Sequence, residues 1–158
     1  MEPTAGNDKK RAGFTLIELL VTLAVVVILA TVAVPNFQGL LERNQFAIEY
    51  NEVLSGFYYA RSEAIKRREN VTATISQSDG TWRLVVTDSA SPANELMVRE
   101  GEDGDVSVPS GSVTFNSLGR RDSCSGSDWA GCSVTVSTVN SASLSGVIEI
   151  NVTGRVAK

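Results

Sequence analysis

Hydrophobic and polar positions fall into three successive textures along this chain. From Phe14 to Val34 the residues are almost continuously apolar, interrupted by threonines and by one carboxylate, Glu18. Further on, Phe46, Tyr50, Val53, Phe57, Ala60 and Ala64 recur at alternating steps of four and three. That spacing keeps them on one face of an α-helix. Arg43, Glu49, Glu52, Arg61, Glu63 and Lys66 lie between them, mostly on the other face, and Glu49, Glu63 and Lys66 are placed to add same-helix pairs of about 0.2–0.5 kcal/mol. One helix from about Thr15 to Arg68 accounts for both textures. Its first half suits lipid or other helices, and its second half suits a globular head. Pro35 removes one backbone hydrogen bond inside this helix and Gly39 softens the same region, so a kink or local melting is expected there.

Beyond Asn70 the pattern changes to short β-rich runs. Val71–Ile75 and Trp82–Thr87 flank Ser78-Asp79-Gly80-Thr81, a hairpin signal because glycine tolerates positive φ. Glu95–Arg99 and Val113–Phe115 are shorter candidates. Ser133–Val139 and Val147–Val152 complete the set, joined by a turn over Asn140–Gly146. Glu100 to Asp105 gathers four acids and two glycines and reads as a solvated loop. No internal repeat is evident. A long helix followed by an antiparallel sheet predicts an α+β fold.

The first texture is long enough to cross a membrane. At ~1.5 Å per residue, Phe14 to Val34 spans about 31 Å, against a bilayer core of ~30 Å. Lys9, Lys10 and Arg11 precede it and only Arg43 follows closely. The excess of positive charge on the N-terminal side places that end in the cytoplasm and the rest of the chain outside. Glu18 is the anomaly. An ionised residue at mid-helix costs roughly 2.5–3.5 kcal/mol on insertion scales and usually has a partner. An ordinary secretory signal, cut near Thr31-Val32-Ala33, would have its apolar region interrupted by Glu18. A plain uncut anchor would gain nothing from that carboxylate.

Gly13, the following Phe14-Thr15-Leu16-Ile17-Glu18 and the apolar run ending at Pro35 together resemble the class III signal of type IV prepilins and type II secretion pseudopilins. The resemblance implies a leader over 1–13, cut after Gly13 by a prepilin peptidase that also methylates Phe14. It implies a transmembrane stretch over 14–35, an amphipathic helical stretch over 36–68 and a periplasmic β-rich head over 69–158. Glu18 would pair with the terminal amine of a neighbouring subunit. Tyr59-Ala60-Arg61-Ser62-Glu63-Ala64 near the helix end, Phe115-Asn116-Ser117-Leu118-Gly119-Arg120, and Gly154-Arg155 narrow the resemblance to the minor pseudopilin and minor pilin branch called the GspH/FimT group. In that family the proline also marks where the helix can stretch within the filament. The implied partners are other pilins or pseudopilins of the filament, the peptidase, an inner-membrane assembly platform and membrane lipid.

Charge and rare residues limit the chemistry. The chain has 158 residues, with 14 basic and 18 acidic side chains and no histidine. This net charge of −4 argues against a surface devoted to nucleic acid and leaves room for a local basic site. Without histidine there is no Ser-His or Cys-His catalysis, and no Gly-x-Ser-x-Gly or phosphate-binding glycine loop occurs. A non-enzymatic protein without a cofactor is therefore expected. Glu102, Asp103 and Asp105 lack the ligand alternation of a calcium loop. Cys124 and Cys132 cannot complete a zinc site by themselves. In an oxidising compartment they can form a disulfide, and in a reducing one they remain two thiols. Some minor pilins of the group bind DNA through a C-terminal Gly-Arg-x-Arg element. Here Gly154-Arg155-Val156-Ala157-Lys158 places the second positive charge one position late, leaving Arg155 and Lys158 as candidates for contact with about two phosphates.

Overall fold

The computed structural model describes residues 13–102, 104–139 and 144–158, the side chains of residues 35 and 36 excepted. Lys9, Lys10 and Arg11 of the expected leader, Asp103, and residues 140–143 of the expected turn lie outside this set. Two compact units divide the chain, one up to Leu41 and one over Glu42–Lys158.

Helix α1 spans Leu16–Arg67 and is continuous through Pro35 and Gly39, so the local melting expected there does not occur. In the first unit its apolar side chains are exposed, Leu19, Val26 and Leu29 among them. This helix contains a window of mean hydropathy 2.8, long and apolar enough to cross a membrane. Thr22 and Thr31 donate their hydroxyls to the carbonyls of Leu19 and Ile28 at 2.9 and 2.7 Å. Their polar groups are therefore satisfied inside the helix itself.

In the second unit, Tyr50, Val53, Phe57, Ala60 and Ala64 are buried as the spacing predicts, Leu54 joins them, and Phe46 packs against the same cluster. Glu49 and Glu63, expected on the solvated face, are also buried. Glu49 Oε2 accepts the Trp82 indole N–H at 2.7 Å, whereas Glu63 accepts from Lys66 at 3.0 Å and Arg67 at 2.8 Å. The helix ends where Arg68 takes a left-handed φ of 58°.

Among the described residues nine strands follow, all antiparallel as expected and arranged in two sheets. The first has the order β3 (Glu95–Glu100), β2 (Thr81–Thr87), β1 (Val71–Ser78), β5 (Gly111–Phe115), β6 (Arg121–Ser125). The second has the order β4 (Val106–Ser107), β7 (Ser133–Thr138), β8 (Ser145–Ile150), β9 (Val156–Ala157). Three of these, β4, β6 and β9, were not expected; two have only two residues, and β6 reads Arg-Asp-Ser-Cys-Ser, without the apolar alternation that marks a strand. The β1–β2 hairpin turns at Asp79-Gly80 as predicted, with φ values of 52° and 83°.

One hydrophobic core unites the helix face and both sheets, with Trp82, Phe57, Phe115 and Ile75 at its centre. Each helix tyrosine fastens a different segment to it. Tyr50 donates to the Val147 carbonyl, Tyr58 to Val156 and Tyr59 to Leu96.

Candidate functional site

Two regions carry the residues singled out by the sequence. The first is the start of α1. Gly13 and Phe14 precede the helix, and Phe14 is 84% exposed. Thr15 Oγ1 accepts the backbone N–H of Glu18 at 3.2 Å. Thr15 thus caps the helix, and Thr15-x-x-Glu18 has the spacing of a capping box, in which the third helical residue can return its carboxylate to the cap's own N–H. The sequence displayed that signal, overlooked beside the membrane-depth argument. Glu18 is exposed on a helix whose other side chains from Leu16 to Val34 are uncharged.

The second region lies at the end of the head where α1 gives way to β1. Here the sequence contains a short repeat after all: Asn116-Ser-Leu-Gly119-Arg120 and Asn151-Val-Thr-Gly154-Arg155. The two segments make the same turn. Asn116 Oδ1 accepts the N–H groups of Leu118 and Arg120, and Asn151 Oδ1 accepts those of Thr153 and Arg155. In each, the glycine N–H returns to the asparagine carbonyl, and the asparagine N–H to the arginine carbonyl. Gly119 and Gly154 have φ of 69° and 78°, values that favour glycine. The turns abut through these glycines. A Cβ on Gly154 would overlap the Gly119 carbonyl oxygen and lie 3.1 Å from Arg120 Cα.

Two further arginines brace the pair from behind. Arg61 Nε on α1 donates to the Gly119 carbonyl at 3.0 Å, and Arg121 Nη1 donates to the Ile150 carbonyl at 2.7 Å and the Gly131 carbonyl at 3.1 Å. Arg120 and Arg155 themselves are exposed beside the contact between turns, with Leu118 and Val152 exposed at the turn tips. The structure therefore groups Arg155 with Arg120 and not with Lys158. The Lys158 ammonium instead reaches Asn51 Oδ1 at 3.2 Å and sits 5.6 Å from the centre of the Tyr50 ring.

Cys124 and Cys132 are joined in a disulfide, which excludes the free-thiol alternative for this structure. The loop they close carries Trp129, which is buried edge-on against Phe57 at 6.0 Å and donates its indole N–H to the Pro109 carbonyl. A family model for the type II transport protein GspH matches residues 49–154, two thirds of the chain.

The chain belongs to the GspH family. The prokaryotic N-terminal methylation motif matches residues 8–34. Two fimbrial proteins of Pseudomonas aeruginosa are each 30% identical over 136 residues, covering 84% of this chain and 82% of theirs. The crystal structure of the type IV minor pilin FimU from the same organism superposes with a TM-score of 0.55 at 21% identity, covering 73% of this chain and 89% of that one. This last likeness extends the agreement to the fold, a long N-terminal helix on antiparallel sheet. The GspH-family chain is a minor pilin or pseudopilin, the kind of subunit found in type II secretion systems and type IV pili.

The geometry also gives the GspH-family words their physical content. In Tyr59-Ala60-Arg61-Ser62-Glu63-Ala64, the tyrosine ties strand β3 and the arginine ties the turn after β5 to the helix, and both alanines have no exposed surface. Ser62 donates to the carbonyl of Tyr59, within its own helix.

Proposed function

We propose that this chain is stored in the inner membrane as a single-pass precursor and assembled into a filament, or its tip, after processing at Gly13. The first residue of the mature chain is then Phe14, methylated by the peptidase that cuts it. The head lies in the periplasm, where an oxidising environment suits the Cys124–Cys132 bond. The observation that carries this reading is the exposed apolar run over 14–34 in which Glu18 is the sole charged residue. In a filament, the helices exchange lipid for each other, and the amine of a neighbour's Phe14 supplies the missing positive charge. Two unit charges about 4 Å apart attract by about 4 kcal/mol at an effective dielectric of 20, before desolvation is subtracted. The pair therefore sets the stagger between subunits more than it adds net cohesion.

Its partners on this reading are other pilins or pseudopilins, the prepilin peptidase and methyltransferase, the inner-membrane assembly platform and lipid. Mass spectrometry of the native protein tests processing directly, by an N-methylated Phe14 start. A start at Met1, or a cut near Ala33, overturns the reading. Glu18→Ala is expected to insert normally and to be depleted from purified filaments.

Capture of DNA is the second reading, favoured by one observation only, the exposed Arg155 beside Arg120. Lys158, the other candidate, is engaged with Asn51 and Tyr50. Two exposed arginines give a weak attachment that falls steeply with salt.

A further inference from the structure

Only one of the two matching turns has a hydroxyl two residues after its asparagine. Asn151-Val152-Thr153 fits the Asn-x-Thr acceptor pattern for N-linked sugar, whereas Asn116-Ser117-Leu118 has leucine in that place. Asn70-Val71-Thr72 fits the pattern as well. Three residues are a weak signal in a chain this rich in serine and threonine, so the surroundings of each asparagine decide.

Asn70 is placed badly for such a reaction. Its Thr72 lies inside β1, paired on one side with Thr87 and on the other with Thr114, and its Oγ1 is 2.9 Å from Thr114 Oγ1. That hydroxyl is committed to the sheet, and an enzyme reaches the segment only by opening two ladders. Asn151 has the opposite setting. It lies with Val152 and Thr153 in the turn between β8 and β9, and all three residues are exposed. Thr153 donates its hydroxyl to Asn151 Oδ1 at 2.6 Å and its backbone N–H at 3.0 Å, and Arg155 adds a third donor, its N–H, at 3.0 Å. Two of these partners are backbone donors, so the accepting atom is the amide oxygen. Nδ2 is the end of the amide that the turn leaves unused.

That polarity suits acceptor chemistry. An amide nitrogen becomes a nucleophile as it gives up a proton, and the negative charge then gathers on the oxygen, where preorganised donors stabilise it. Three donors already surround that oxygen, one of them the hydroxyl that the Asn116 turn lacks. Exposed Glu149, two residues earlier, offers an enzyme a carboxylate to hold, where Asn70 has Arg68 at the same spacing.

We propose that Asn151 Nδ2 is an acceptor for N-linked carbohydrate, delivered by a glycosyltransferase from a glycosyl diphosphate carried on a membrane lipid. A base of the enzyme takes one Nδ2 proton and the bond from Nδ2 to the anomeric carbon forms. The bond from that carbon to the diphosphate oxygen breaks, and its electron pair leaves on the lipid diphosphate. Donor and acceptor must meet on the same side of the membrane, so the inference rests on the reading that the head is periplasmic. The sugar stands beside the exposed turn tips Val152 and Leu118 and covers apolar surface that the head otherwise presents to water.

The test is peptide mass spectrometry of the full-length chain purified from the membranes of its own cells. The peptide spanning Asn151 is expected to carry a carbohydrate mass on that residue, with Asn116 and Asn70 bare. Thr153→Val keeps the side-chain shape and is expected to lower occupancy at Asn151 at least about tenfold, since a site built around a hydroxyl rejects the analogue that lacks it. That variant is expected to fold, because the Asn116 turn forms with leucine in the same place. Thr153→Ser returns the hydroxyl and is expected to keep the sugar. An unmodified Asn151, a sugar retained in Thr153→Val, or a mass carried by a serine or threonine hydroxyl instead overturns the proposal. The same digest reads the N-terminal peptide. A methylated Phe14 alongside an unmodified Asn151 removes this inference alone and leaves the filament reading standing.

Discussion

At Gly154 the backbone holds φ at 78° while the Gly119 carbonyl occupies the place where a side chain would begin. Gly154→Ala therefore combines an unfavourable φ with a backbone collision, and is expected to cost at least ~1–3 kcal/mol. Asn151→Ala removes the acceptor that organises the same turn, leaving the backbone N–H groups of Thr153 and Arg155 to water. Thermal unfolding of the detergent-solubilised chain, followed by circular dichroism, should rank Gly154→Ala below Asn151→Ala and both below the parent chain. The buried carboxylates set the acid limit. Hydrogen bonds from Arg67 and then Lys66 hold Glu63 below its ordinary pKa, and the Asn94 side chain and backbone do the same for Asp88. Their contribution to stability is complete above the pKa of the unfolded carboxyl and is lost as pH falls through the lower folded value. The melting temperature should thus decline from about pH 4 downward. Glu63→Gln should lower stability at neutral pH by about 1 kcal/mol, since its partners are partly exposed, and should flatten that decline. A melting profile with the parent's slope would contradict this assignment.

Among elements, the helix was legible in detail because its period survives in the core: the residues at steps of four and three are the ones that pack. The β1–β2 hairpin was equally legible, since Asp-Gly supplies the two left-handed residues its turn needs. Strands β6 and β9 escaped because their pairing is dictated by neighbours, not by their own apolar alternation. Glu49 and Glu63 were misplaced for a related reason. A carboxylate on a helix reads as solvent-facing until its donor is known, and the Trp82 indole lies 33 positions away in sequence. Trp82→Phe is expected to remove the indole donor to Glu49 and to leave a small cavity at a fully buried position, together costing about 1–3 kcal/mol. The disulfide loop offers the complementary case. Its closure was readable as a possibility from spacing, whereas its use in lodging Trp129 against Phe57 was not. Paired Cys124→Ser and Cys132→Ser substitutions should lower stability by about 2.5 kcal/mol on the loop-entropy model. Tryptophan fluorescence should report partial exposure of Trp129 before the head as a whole unfolds.

For the whole molecule, the open matter at the start of α1 is which of two tasks Glu18 performs. As the third residue of a capping box it acts within its own chain, and a neutral amide serves that task nearly as well as a carboxylate. As the counter-charge for a neighbour's terminal amine it acts between chains, and an amide fails. Glu18→Gln separates the two, because glutamine preserves length, volume and the ability to accept a hydrogen bond while removing the charge. The filament reading requires that Glu18→Gln and Glu18→Ala be depleted from assembled filaments to a similar degree, each at least tenfold if the pair retains about 1.4 kcal/mol after desolvation. Membrane insertion should be unchanged or slightly improved in both, since each removes a charge from an apolar segment. If glutamine assembles like the parent while alanine does not, the carboxylate is serving its own helix, and the stagger between subunits must come from contacts elsewhere. Quantitative immunoblotting of sheared filaments against the membrane fraction, with both variants expressed at the parent's level, distinguishes these outcomes.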